Sequence, residues 1–162
     1  MQNLIVALTN FPALLSIKKT LLHGDYKTCS ILIFLTTWSV ISHLIQNHKH
    51  NMPGIGNFSI TSSKITNYLD IVGSILIGFR LAYLYYSKLG ISLIAFRDYQ
   101  ISIGTPICLL MGYMSEYNQN LTGQDLFLPS VNHTTKYIIL HSMWHICVFY
   151  QIYYFLSNYI YI

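Results

Sequence analysis

Two histidines four residues apart, His141 and His145, would lie one turn apart on a single helix face. That spacing lets two imidazoles bind one metal ion, and it also suits two core histidines bonded to carbonyls. His43 has Ser39 four residues before it, so this pair would share a helix face as well. Serine in a helix often bonds its own backbone, and a lone Ser/His pair carries little chemistry by itself. Asp70 is a carboxylate able to orient a histidine or take a proton, or simply to favour a helix N-terminus. The other ionisable groups within apolar stretches are Arg80, Arg97 and Asp98. Such groups are costly inside a membrane, and by default they mark function.

The elements that must hold these residues are apolar. Of the 162 residues, 53% are hydrophobic and only 9% charged, against about 25% charged in a soluble domain. This predicts an all-α, polytopic transmembrane helix bundle of about five spans, forming a single domain over residues 1–162. The spans are read at about 3–17, 29–45, 68–86, 91–113 and 137–158. Pro12 falls in the first, and Arg97–Asp98, Gly104 and Pro106 interrupt the fourth. Two polar stretches, 46–66 and 115–135, read as loops, with His48 and His50 solvated in the first of them. Lys18 and Lys19 follow the first apolar run instead of preceding it, which predicts a retained span and no cleaved signal peptide. Cys29, Cys108 and Cys147 are scattered, without a CxxC pair, and read as small buried apolar residues.

Alternation of five spans puts the N-terminus and both polar loops on one face and the C-terminus on the other. Three N-x-S/T sequons, at Asn57, Asn120 and Asn132, fall on the loop face. On this topology His43, Asp70, His141 and His145 all lie near that face, at one depth. Three histidine nitrogens can hold Zn²⁺ at about 2.0–2.1 Å and leave a fourth position for water, whose pKa the metal lowers toward about 7. Beside such an ion Asp70 would orient a histidine or accept the water's proton, and Ser39 would bond a developing oxyanion. The expected site is therefore His43, His141 and His145 as metal ligands, with Asp70 and Ser39 as catalytic groups.

The strings around these residues resemble the CREST superfamily, which includes alkaline ceramidases, progestin/adipoQ receptors, lipid-remodelling factors for GPI-anchored proteins, and myomaker. Ser39-x-x-x-His43, an Asp in the next span, and His141-x-x-x-His145 in the last follow its pattern. His141-Ser142-Met143-Trp144-His145 is similar to the HS-x-WH motif of the myomaker and post-GPI-attachment branch. Asp70-Ile71-Val72-Gly73-Ser74 is similar to that branch's D-x-x-GS. The resemblance implies Zn²⁺ on His43, His141 and His145, with Ser39 and Asp70 beside it, and hydrolysis of an amide or ester bond in a lipid. Members usually have more spans than are read here.

The formal charge of +4 is small and spread out, with no Lys/Arg run, which argues against nucleic acid as a partner. The expected partners are membrane lipids. A second reading adds other membrane subunits: a non-catalytic accessory chain of a larger assembly, such as a mitochondrial respiratory complex, that keeps the CREST-like fold or metal site. The expected location is an integral membrane, either of the secretory pathway or the mitochondrial inner membrane.

Overall fold

Pro12 decides the shape of the first apolar run. It has no N–H to give the preceding turn, and the run breaks into α1 (Gln2–Leu8) and α2 (Ala13–Leu22) around a turn at residues 9–12. The computed structural model describes residues 2–47, 52–116 and 133–162, and all regular structure among them is helical. Gly24, at φ 68°, reverses the chain after α2. Asp25 then caps α3 (Tyr26–Ile45), accepting a hydrogen bond from the Thr28 amide at 3.0 Å. Ser59 caps α4 (Ile60–Leu89) in the same way, through the Ser62 amide at 3.0 Å. After Gly90 come a 3-10 turn (Ile94–Arg97), a short α5 (Tyr99–Ser102) capped by Asp98, and α6 (Gly104–Glu116). The last element, α7 (His133–Phe155), ends in a π-helical stretch, Leu156–Ile160.

Several limits differ from the sequence expectation, each for a local reason. α3 starts at Tyr26 and not at 29 because Asp25 caps it. Residues 60–66 are helix and not loop, because Ser59 caps α4 ahead of the apolar run. The fourth apolar stretch, expected at 91–113, is not one helix. Asp98 restarts the chain there, and Gly104 opens α6, described as far as Glu116. Among the described residues, three stretches are long and apolar enough to cross a membrane: Gln2–Leu22, Tyr26–Ile45 and Ile60–Leu89. Asn57 lies exposed just before α4, whereas His48, His50, Asn120 and Asn132 lie outside the described residues.

Packing joins α3 to α4 and α6 to α7, and α1–α2 bridges the pairs by touching both α3 and α7. The α3–α4 pair is close because Gly73 has no side chain: a Cβ there would sit 2.9 Å from Leu35 Cα. Leu32, Leu35, Ile77, Phe149, Ile152 and Leu156 form the main apolar core between α3, α4 and α7. The outward side of α4 is apolar too. Tyr68, Val72, Ile75, Phe79, Tyr83 and Tyr86 recur at helical spacing along it and are all exposed. A helix facing water would carry charge there, whereas hydrocarbon suits these side chains.

Candidate metal centre

His43 is two residues from the end of α3, and His141 and His145 lie one turn apart on α7. All three are buried, at 4%, 6% and 2% exposure. Their ring centroids are 4.9 Å (His43–His141), 4.8 Å (His43–His145) and 4.6 Å (His141–His145) apart. One ligand atom from each lies within 4.8 Å of the others. The sequence expectation that these three meet is met, and as a group they can hold a metal ion.

Each ring is also gripped from outside at Nδ1. Thr9 Oγ1, in the break between α1 and α2, lies 3.0 Å from His145 Nδ1, and Asn10 Nδ2 lies 3.3 Å from it. Ser115 Oγ, near the end of α6, lies 3.1 Å from His141 Nδ1, and Glu116 Oε1 is 3.7 Å away. Gln46 Oε1, just past α3, lies 3.3 Å from His43 Nδ1. Tyr137 donates its hydroxyl proton to the same Gln46 oxygen at 3.4 Å. Asn3 anchors this corner: its Nδ2 donates to the carbonyls of His43 (2.8 Å) and Gln46 (2.9 Å), two of the acceptors that a helix end leaves open.

Asp70 is half-buried on α4 and lines a cavity of about 540 Å³ that His43 and His141 also line. The cavity lies between α4 and α6. Ile71, Ile75, Leu109 and Trp144 give it apolar walls, while Asn67 and Glu116 add polar groups. Ser39 is buried one turn from His43 and is not among the cavity's lining residues. The other span charges are used elsewhere. Arg80 Nη2 donates to both carboxylate oxygens of Asp25 (2.9 and 3.1 Å), Arg80 Nε donates to Thr28 Oγ1 (2.9 Å), and Tyr161 OH donates to Asp25 Oδ2 (2.7 Å). This cluster sits at the start of α3, roughly 27 Å along the helix from His43. Burial raises the Asp25 pKa, but the Thr28 and Tyr161 hydrogen bonds and the Arg80 charge outweigh it and bring the carboxyl down from 3.8 to about 2. Asp98 accepts hydrogen bonds from Tyr154 (2.7 Å) and Tyr159 (2.6 Å), which tie the 90–104 segment to the end of α7.

The chain is 42% identical over 163 residues to an uncharacterized protein of Acanthamoeba polyphaga mimivirus, an alignment that takes in 99% of this chain and 100% of the viral one. The two belong to one family. No family model and no solved structure matches the chain.

In this member of the viral protein's family, sequence reading found the three histidines and missed what holds them. Glu116 falls in the polar stretch 115–135 that reads as loop, whereas it lies in α6, 3.7 Å from His141 Nδ1. Thr9, Asn10 and Asn3 are polar residues inside the first apolar run, two of them just before Pro12, and that anomaly was the available signal. Asp25 lies between the first two apolar runs, and its partner Arg80 is 55 residues away, so spacing within one helix could not pair them.

Proposed function

We propose that this chain is an integral membrane protein that holds Zn²⁺ on His43, His141 and His145 and hydrolyses an amide or ester bond in a lipid. The supporting observation is that the three buried histidines converge beside a cavity that Asp70 also lines. The donor set suits zinc. Three imidazoles on a tetrahedral ion at about 2.0–2.1 Å lie about 3.4 Å apart, so the rings need to close in by about an ångström. Five helical segments, α1–α2, α3, α4, the broken 91–116 stretch and α7, would cross or enter the bilayer, and the apolar stripe on α4 would face lipid. The CREST resemblance of the Ser39–His43, Asp70–Ser74 and His141–His145 strings supports the same site.

Bound zinc would polarise a carbonyl and bring a water near neutral acidity. The chain's own residues would do the rest. Ile71, Ile75, Leu109 and Trp144 take up an acyl chain. Asp70 accepts the proton of the attacking water and passes it to the leaving group. Tyr137 and Gln46 hold His43 in place behind the reacting centre. The buried histidine set keeps bulk water out of the ligand positions.

A second reading follows from Ser39, which lies off the cavity: the metal site is kept without hydrolysis, in an accessory subunit of a membrane assembly. Ceramides and phospholipids incubated with the purified, zinc-loaded protein separate the two. Hydrolysis that Asp70→Asn abolishes while zinc stays bound supports the enzyme. Zinc bound at about one per chain with no turnover of either lipid class overturns it in favour of the accessory reading.

A further inference from the structure

We propose that Thr9 and Ser115 are positioning residues that fix His145 and His141 in the tautomer carrying its proton on Nδ1, so that each presents a bare Nε2 to the metal. The inference deepens the zinc reading and rests on it for its metal arm only. A threonine or serine hydroxyl has one proton and two acceptor lone pairs. Thr9 Oγ1 donates that proton to the Val6 carbonyl at 2.6 Å. Ser115 Oγ donates its own to the Gly112 carbonyl at 2.7 Å. With the protons committed there, each hydroxyl meets its histidine as an acceptor: Thr9 at 3.0 Å from His145 Nδ1, and Ser115 at 3.1 Å from His141 Nδ1. The two Nδ1 atoms must then be the donors. A metal ligand needs the other nitrogen unprotonated, and Nε2 is the atom left.

The neighbours bear on the same assignment. Glu116 Oε1, 3.7 Å from His141 Nδ1, is a carboxylate oxygen and favours a proton on that nitrogen. Asn10 opposes it in its present orientation, with an amide donor 3.3 Å from His145 Nδ1. Its contact is longer than that of Thr9. A half-turn of this amide would bring Oδ1, which is buried and has no hydrogen-bond partner, onto the same nitrogen as a second acceptor, at the expense of the Ala7 contact. Thr9 and Asn10 sit in the turn before Pro12, so this turn is part of the site.

Nitrogen-15 spectra of the histidine side chains in metal-free protein test the tautomer without any appeal to zinc. Protonated Nδ1 and bare Nε2 on His141 and His145 are expected, and a proton on Nε2 of either overturns the assignment for that residue. Competition with a zinc chelator then reads affinity. Thr9→Val and Ser115→Ala should each weaken zinc about 10- to 100-fold, while Thr9→Ser keeps wild-type affinity. Unchanged affinity in Thr9→Val, in protein shown to be folded by its helical circular dichroism, overturns the positioning role. If wild-type protein binds no zinc, the zinc reading fails and the spectra still decide the tautomer.

Discussion

Asn3 Nδ2 donates at 2.8 Å to the backbone carbonyl of His43, 40 residues further along the chain. A side chain in the first apolar helix thereby closes the end of the second and fixes where His43 stands. Replacing it leaves two buried carbonyls, those of His43 and Gln46, without this donor. Asn3→Leu is expected to cost about 1–3 kcal/mol of stability and to weaken metal binding through His43. Thermal unfolding in detergent and zinc competition check this, and an unchanged melting temperature would remove Asn3 from the account.

Zinc content offers the most direct reading of the centre. Wild-type protein should carry about one ion per chain, and His141→Ala or His145→Ala should lower that occupancy sharply. His48→Ala and His50→Ala should leave it as it was. Metal analysis of the four variants, purified without added zinc, is the measurement.

Gly73 sets how closely α3 and α4 approach. Gly73→Ala places a methyl 2.9 Å from Leu35 Cα, and backbone cannot swing aside as a side-chain tip can. The expected loss is about 1–3 kcal/mol, with Asp70, one turn away on α4, shifted from its place in the cavity. Gly78→Ala is the control, because nothing lies within 4 Å of its added carbon. Equal melting temperatures for the two variants would contradict this packing.

The Asp25–Arg80 pair gives the protein an acid-sensitive end. The folded pKa of Asp25, about 2, lies below its ordinary value of 3.8. Its contribution is therefore fully present above about pH 4 and is lost as pH falls through about 2, amounting to about 2 kcal/mol. Wild-type stability should fall between pH 4 and 2, and Asp25→Asn should be less stable at pH 7 but flatter across that window. Parallel slopes for the two proteins would show that Asp25 is not the titrating group.

Five crossings would place the two ends of the chain on opposite sides of the membrane. Tags at each end, exposed to protease in sealed vesicles, should show one cut and one protected. Equal protection of both tags would mean an even number of crossings.

How much could be read from the chain alone depended on the kind of signal. The helical character of every described element, and the pairing of His141 with His145, followed from apolar runs and four-residue spacing, both of which are local, whereas His43 was brought to them by the shared depth of the expected spans and the family resemblance. The start of α4 at Ile60 did not, because the Ser59 cap acts over three or four residues while hydropathy averages over many more. The outer partners were hardest. Thr9 and His145 are 136 residues apart, and nothing about a threonine in an apolar run says which histidine it will meet.

That separation also bears on how the protein is made. On the proposed membrane reading the chain would enter the bilayer segment by segment, with Thr9 and Asn10 ahead of α7 and its His145. Exposed to hydrocarbon alone, an unsatisfied polar group costs several kcal/mol. These two carry their own interim partners: Thr9 bonds the Val6 carbonyl and Asn10 the Ala7 carbonyl, both inside the first segment. On the proposed membrane reading, this turn carries its own partners before the last helix supplies the contact to His145.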